Sequence, residues 1–179
     1  MRGLLVGRFQ PFHSGHLAVV REVRSGRDRD TLILGIGSAQ ESFTWKNPFT
    51  AGERTEMIDR ALREAKVDGV VAIPLPDIHQ HALWVRYVES LLPPFDRVYT
   101  NNPLTRLLFE KAGYAVEGPA LVDRLRFEGE NVRIQLARDL EWKPLVPPAV
   151  ARYLEELNAP ARLALLRGGE RQLSGRPEP

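Results

Sequence analysis

Cysteine is absent from this 179-residue chain, and its absence removes several kinds of chemistry at once. Without thiols the chain has no disulfide framework, no thiolate zinc site and no cysteine nucleophile. Long apolar runs are missing as well. The first run, Leu4 to Val6, is too short for a secretory leader or a membrane span, and Arg8 follows it closely. We therefore expect a soluble, cytoplasmic protein that does not act on a membrane.

Lysine is scarce, with 4 residues against 21 arginines, although the net charge is only +2. No lysine follows a glycine, which excludes a Walker A phosphate loop. Arginine binds phosphate through paired hydrogen bonds, so the excess suits anionic small molecules. It would suit nucleic acid equally, and heat adaptation or genome composition would produce the same bias. Because nothing but arginine content points to nucleic acid, we expect no nucleic-acid partner.

Short apolar runs alternate with segments in which apolar residues recur every three or four positions. The runs that we predict as strands are Gly3–Val6, Thr31–Ile36, Val70–Leu75, Arg97–Tyr99 and Tyr114–Val116. This alternation predicts an α/β fold with a Rossmann-like, doubly wound sheet of five parallel strands. The continuous apolar character of 32–34 and 70–73 is typical of central strands. We predict one domain over 1–158, which ends in a C-terminal helical extension, and a partly disordered tail over 159–179.

The ten residues that follow the first predicted strand carry most of the chemistry in the chain. They lead into a helical pattern, and open α/β sheets bind ligands at such a junction, near the positive end of a helix. His13 and His16 fall on one face of that helix, where ring N–H groups can meet phosphate oxygens, and Gly15 keeps the approach open. Two alternatives are a pair of histidines that only cap or pack, and a zinc site completed by His79 and His81.

His13-Ser14-Gly15-His16 resembles the H-x-G-H signature of the nucleotidyltransferase α/β phosphodiesterase superfamily. The longer string G-R-F-Q-P-F-H-S-G-H is similar, more narrowly, to the archaeal-type nicotinamide-nucleotide adenylyltransferases. The similarity continues in the same order over roughly residues 1–140, through motifs at 37–40, 47–54, 76–78, 82–85, 93–99 and 101–104.

This resemblance implies transfer of AMP from ATP to nicotinamide mononucleotide, which yields NAD and pyrophosphate. The acceptor's phosphate would attack the α-phosphorus directly and in line, without a covalent intermediate. Mg²⁺ would be held mainly by substrate phosphates and water. The resemblance also implies a homo-oligomer, such as a hexamer.

The same resemblance assigns residues to the two substrates. His13, His16, Arg8 and Arg133 would be catalytic, with His16 at the α-phosphate in the transition state. The ATP-binding set would comprise Gly7, Arg8, Phe9, His13, Gly15, His16, Asn102 and Arg133. The nicotinamide-nucleotide-binding set would comprise Ser38, Gln40, Arg54, Asp77, Ile78, His81 and Trp84.

Three of these residues also have a plain structural interpretation. Trp84 would stack on the pyridinium ring, yet it could equally pack in the core on a helix face. Asp77 follows a strand and could cap the next helix. Thr50 and Glu53 read as a capping box, which puts Arg54 in a first helical turn. A cation there is unfavourable to the helix dipole, which favours a phosphate partner, while a solvated surface arginine is the alternative.

The chain departs from the family pattern at two places. Glu128 and Glu130 stand where the family offers hydroxyls beneath the ATP phosphates, and they would repel a triphosphate unless Mg²⁺, Arg124 or Arg126 compensates. His81 stands where an asparagine is expected. Two alternatives follow: a sister adenylyltransferase that uses nicotinic acid mononucleotide or phosphopantetheine, and a non-catalytic nucleotide-sensing domain of the same fold.

Overall fold

All five predicted strands are present in the computed structural model, which describes residues 1–25, 30–120 and 127–174. The strands are β1 (Arg2–Gly7), β2 (Thr31–Ile36), β3 (Val70–Pro74), β4 (Arg97–Tyr99) and β5 (Ala115–Glu117). The helices are α1 (Ser14–Arg24), α2 (Ala51–Glu64), α3 (His81–Leu91), α4 (Pro103–Lys111), α5 (Gly129–Ala137), α6 (Pro148–Glu156) and α7 (Ala159–Ser174). A short 3₁₀ turn, Lys143–Leu145, precedes α6.

The strands form one parallel sheet in the order β3-β2-β1-β4-β5. Leu4 of β1 lies between Ile33 of β2 and Val98 of β4. The chain runs outward from β1 to β3 and then crosses back to β4, so the order of winding reverses between β1 and β4. At such a switch point the loops after the two strands diverge and leave a crevice. The predicted doubly wound, Rossmann-like sheet is confirmed.

Alternate residues of the central strands face two apolar layers, as the period of two requires. Leu5 and Leu34 point into the larger layer, which contains α1, α2, α5, α6 and α7. Leu4 and Ile33 point into the smaller layer with α3 and α4. Helices therefore cover both faces of the sheet.

Strand β3 lies at an edge of the sheet, whereas its apolar run favoured a central position. It pairs only with β2 among the described strands, and Val71 is 47 % exposed. An apolar run indicates that a strand packs against helices. An edge strand of a parallel sheet also packs against helices, so the run does not distinguish an edge strand from a central one.

The C-terminal segment also differs from the prediction of a tail. Residues 159–174 form helix α7, which packs against α5 and α6. Ala159 and Leu163, four positions apart, are fully buried in the larger apolar layer. Asn158 adopts a positive φ of 50° and turns the chain from α6 into α7. Burial of this apolar stripe offsets the cost of the glycines at 168 and 169.

Candidate active site

A cavity of about 300 Å³ opens at the carboxyl edge of the sheet, at the switch point between β1 and β4. The loops after β1, β2, β3 and β4 and the first turns of α3 and α4 form its wall. It is lined by Val6, Gly7, Arg8, Gly37, Ser38, Leu75, Pro76, Asp77, His81, Trp84, Asn102, Leu104, Thr105 and Leu108. Seven of these were predicted as site residues: Gly7, Arg8, Ser38, Asp77, His81, Trp84 and Asn102.

Helix α4 adds three residues to this wall that were not predicted as site residues. Leu104, Thr105 and Leu108 line the cavity from the first two turns of that helix. Positions 104, 105 and 108 fall on one face of a helix that follows directly after a predicted strand. This spacing could have indicated that they line the site. Asn102 precedes them as the N-cap of α4, where its side chain accepts a hydrogen bond from the Thr105 N–H at 3.0 Å. Its cavity position is therefore fixed by helix capping.

His13 and His16 form a reciprocal capping box at the start of α1. The His16 N–H donates to Nδ1 of His13 at 3.2 Å, and the His13 N–H donates to Nδ1 of His16 at 3.2 Å. Each Nδ1 therefore carries a lone pair, and the ring proton of each neutral imidazole sits on Nε2. The capping interpretation is confirmed, and it leaves both Nε2–H groups available as donors.

Burial keeps this pair neutral. Burial, and then the positive charge of Arg133, lower the pKa of His13 to about 4. The pKa of His16 also lies well below 6.5, because of burial and then the charge that His13 would carry. At neutral pH both rings are therefore uncharged hydrogen-bond donors.

Aromatic neighbours hold the two imidazoles in place. The rings of His13 and His16 stack with centroids 3.5 Å apart, and the edge of the His16 ring meets Phe9 at 4.9 Å. Phe9 is a buried packing partner whose backbone has a positive φ of 51°, and its contact with ATP stays a prediction. A Cβ at Gly15 would lie 2.8 Å from Cβ of Phe127, so glycine is required by helix packing as well.

Arg54 is fully buried, so the alternative of a solvated surface arginine is wrong, whereas its contact with a substrate phosphate stays a prediction. Its guanidinium donates four hydrogen bonds to main-chain carbonyls. The acceptors are O of Arg8 at 2.9 Å, O of Gly37 at 2.8 Å, O of Ser38 at 3.1 Å and O of Thr50 at 3.2 Å. The side chain thus joins the loop after β1 to the loop after β2, behind the cavity wall.

The predicted capping box of Thr50 and Glu53 is confirmed, and it explains how Arg54 reaches this place. The box fixes the first turn of α2 against the two loops. Burial, and then the charge of Arg8, lower the pKa of Arg54 to about 10, so the group remains a cation at neutral pH. Main-chain carbonyl dipoles surround this charge.

Asp77 does not cap α3, whose N-cap is Gln80 and has no side-chain cap bond. The carboxylate of Asp77 instead accepts from the N–H of His79 at 2.9 Å and faces the cavity. The amide of Gln40 bonds both the N–H and the carbonyl of Asp77, at 2.9 and 3.0 Å. Gln40 therefore braces two loops, and Ile78 is half-buried beside them without lining the cavity.

Trp84 packs in the smaller apolar layer and also lines the cavity, and its stacking on a pyridinium ring stays a prediction. Its ring meets Phe109 edge-on at 5.4 Å, as part of the smaller apolar layer. The same residue lines the cavity, as do His81 and Arg8. One face of the indole is thus anchored in a packed environment while the residue remains accessible to a ligand.

Arg133 lies on α5, next to the paired histidines. It is 5 % exposed and donates from Nη1 to the carbonyl of Gln10 at 3.0 Å. Glu128 and Glu130 are exposed at the start of the same helix, where carboxylates complement the helix dipole. Arg124 and Arg126, predicted to offset them, lie outside the described residues.

No group of three or more His, Asp or Glu side chains within 1–25, 30–120 and 127–174 is placed to hold a metal ion. His79, a candidate ligand in the zinc alternative, is 73 % exposed with one carboxylate, that of Asp77, at 3.9 Å. In the same ranges, no helix is long and apolar enough to cross a membrane.

Comparison with known proteins places this site in a family. The model of the cytidylyltransferase-like family matches residues 4–150. The nicotinamide-nucleotide adenylyltransferase of Picrophilus torridus is 47 % identical over 91 % of this chain and 95 % of its own length. The chain belongs to the archaeal-type nicotinamide-nucleotide adenylyltransferases. The resemblance drawn from the sequence is thereby confirmed.

A second relative agrees with this placement, and a solved structure shares the fold. The nicotinamide-nucleotide adenylyltransferase of Archaeoglobus fulgidus is 45 % identical over 98 % of this chain and 99 % of its own. A bifunctional NMN adenylyltransferase/ADP-ribose pyrophosphatase from Francisella tularensis, crystallised with AMP and a manganese ion, superposes with a TM-score of 0.71. At 20 % identity that likeness shows the fold alone. This chain covers 56 % of the bifunctional protein.

Proposed function

We propose that this protein transfers AMP from ATP to nicotinamide mononucleotide, and that it releases NAD and pyrophosphate. The observation that carries the proposal is the histidine pair at the β1–α1 junction. Neither histidine lines the cavity, but the His16 ring meets Phe9 at 4.9 Å, and the Phe9 ring packs against Gly7, which does line it. Two neutral Nε2–H donors stand at the β1–α1 junction, and Asp77 and Trp84 stand across the switch point in a cavity that suits a pyridine nucleotide. Hydrogen-bond donors suited to phosphate therefore lie near a pocket that is aromatic and acidic.

In this proposal the acceptor's 5′-phosphate oxygen attacks the α-phosphorus of ATP, a new P–O bond forms, and the bond to pyrophosphate breaks. His16 donates from Nε2 to a non-bridging oxygen of the α-phosphate, where negative charge builds up in the transition state. His13, Arg8 and Arg133 bind the remaining phosphates. No proton has to leave a histidine, because both act as neutral donors.

The acceptor occupies the side of the cavity formed by Ser38, Asp77, His81 and Trp84. Trp84 stacks on the cationic pyridinium, and the carboxylate of Asp77 complements its positive charge. Mg²⁺ is assigned to the phosphates of ATP and to water, which supply charge neutralisation at the leaving group. The cytoplasmic location and the homo-oligomeric state remain predictions from the sequence.

Substitution of His16 by Ala tests the role of the histidine pair. We expect turnover to fall by about 10²–10³-fold, as on removal of one transition-state donor, with a smaller change in the KM for nicotinamide mononucleotide. Ser14→Ala, between the two histidines, is the matched control and should retain turnover. Unchanged turnover in the His16 variant would contradict the assigned role.

The same assay separates the alternatives. Nicotinic acid mononucleotide and phosphopantetheine are offered in place of nicotinamide mononucleotide, and kcat/KM is compared. A preference for either would favour a sister adenylyltransferase. Saturable binding of NAD without any product would favour the sensing domain.

A further inference from the structure

Helix α7 lies on the segment between β2 and α2 that faces Arg133. We name residues 43–49 the aromatic loop, because it contains Phe43, Trp45 and Phe49. The guanidinium of Arg162 on α7 lies 5.2 Å from the ring of Phe43 and 5.6 Å from the ring of Phe49. It also forms an ion pair of 2.8 Å with Glu53, the capping-box carboxylate of α2.

Trp45 connects this loop to the proposed triphosphate site. The guanidinium carbon of Arg133 lies 5.8 Å from the centre of the Trp45 ring. The guanidinium carbon of Arg167, on α7, lies 5.9 Å from the same ring. Both distances are within the range of cation–π attraction. The indole is half-buried against the larger apolar layer, so its position is set by packing.

A second connection reaches Arg133 through the main chain. The side-chain amide of Gln10 bonds both the N–H and the carbonyl of Phe49, each at 3.0 Å. The carbonyl of Gln10 in turn accepts the hydrogen bond from Nη1 of Arg133 at 3.0 Å. The aromatic loop thus contacts Arg133 on one side by a ring and on another through Gln10.

We propose that Trp45 is a positioning residue for Arg133, and that Arg167 of α7 holds Trp45 in place. The inference rests on the proposed function insofar as Arg133 binds the triphosphate. Trp45 touches the guanidinium of Arg133, and an arginine held on a planar ring keeps the orientation that paired hydrogen bonds to phosphate require. The C-terminal helix then belongs to the ATP site, although α7 itself supplies no residue to the cavity wall.

The test measures the affinity for MgATP by calorimetry, together with the KM for ATP and for nicotinamide mononucleotide. Loss of a cation–π contact should weaken MgATP binding about fivefold in the Trp45→Ala variant, while the KM for the acceptor stays the same. Trp45→Phe retains an aromatic face and should restore most of the affinity. Arg167→Gln should reproduce part of the loss, about twofold.

Lys143→Gln is the matched control, because it breaks a Lys–Trp142 pair of the same length, 5.9 Å, away from the site. It should bind MgATP like the wild type. Equal MgATP affinity in Trp45→Ala and wild type would overturn the role of Trp45. Weaker MgATP binding in Trp45→Ala together with unchanged binding in Arg167→Gln would overturn the proposed contribution of α7.

Two further measurements keep these results interpretable. Circular dichroism establishes that each variant is folded at the assay temperature, and Arg167→Gln, on a partly exposed helix face, decides the question if Trp45→Ala does not fold. NAD formation by the wild type tests the proposed function separately. A wild type that binds MgATP without forming NAD refutes the function and leaves the comparison of variants valid, whereas one that binds no MgATP overturns both.

Discussion

The buried histidine pair makes stability depend on pH in a way that one substitution can isolate. In His13→Asn, the Oδ1 atom of asparagine replaces Nδ1 as the acceptor for the His16 N–H, since asparagine is a preferred N-cap residue. The helix cap is therefore retained, while the titratable ring is removed. His16 is present in both proteins and stays buried, and only the effect of the His13 charge on its pKa is lost.

The size of the effect follows from the two pKa values of His13. The pKa is about 4 in the folded protein and about 6.5 in the unfolded chain. Between these values the unfolded chain binds more protons, so the free energy of unfolding falls as the pH falls. At about 1.4 kcal/mol per pKa unit the full contribution is about 3.5 kcal/mol. It is present above pH 6.5, and about 2.5 kcal/mol of it is lost between pH 7 and pH 4.5.

Urea denaturation of both proteins at pH 7 and pH 4.5 measures this difference. The wild type should lose about 2.5 kcal/mol more than His13→Asn over that interval. His79→Asn controls for the loss of a histidine as such, because that side chain is 73 % exposed, and it should follow the wild type. Parallel losses in wild type and His13→Asn would refute the burial of a neutral imidazole at this cap.

Three further substitutions test the walls of the site. Arg54→Lys should lower the free energy of unfolding by about 3 kcal/mol, since buried carbonyls lose their hydrogen-bond donors. It should also raise the KM for both substrates. Arg60→Lys, on the same helix, is the control and should change neither the stability nor the KM values. Gly15→Ala should lower the free energy of unfolding measured in urea by about 1–3 kcal/mol, because the new Cβ overpacks its neighbours. Gly52→Ala is the control, since its Cβ would meet its nearest neighbour only at 3.9 Å, and it should not lower that free energy. Trp84→Phe should retain the fold and raise the KM for nicotinamide mononucleotide several-fold, and an unchanged KM would exclude stacking on the indole.

The strands and the first capping box could be predicted because their signals are local. Apolar runs with turn residues between them mark β1 to β5, and the Thr50–Glu53 spacing marks the start of α2. The histidine pair was predicted as a phosphate site and, alternatively, as a cap. The structure shows the cap, in which both Nδ1 atoms accept main-chain hydrogen bonds, and the role of the Nε2–H groups as donors to phosphate stays a prediction.

The role of Arg54 could not be predicted, because three of its four acceptors come from loops 16 to 46 residues away. Every residue has a main-chain carbonyl, so the sequence does not show which carbonyls accept hydrogen bonds from an arginine. Arg54 was therefore interpreted only as a phosphate ligand or as a surface residue. Helix α7 was not predicted for the same reason, because its burial depends on contacts with other helices. Leu163 is buried only because α5 and α6 meet it, and the glycine content of the segment favoured a frayed end.

The central claim is that ATP and nicotinamide mononucleotide are joined at this site. The most direct measurement incubates the purified protein with ATP, Mg²⁺ and nicotinamide mononucleotide, and quantifies NAD and pyrophosphate together by chromatography. The account predicts equal amounts of the two products, with no free AMP, and their near-loss in His16→Ala. Release of AMP and pyrophosphate without NAD, or binding of both substrates without turnover, would contradict it.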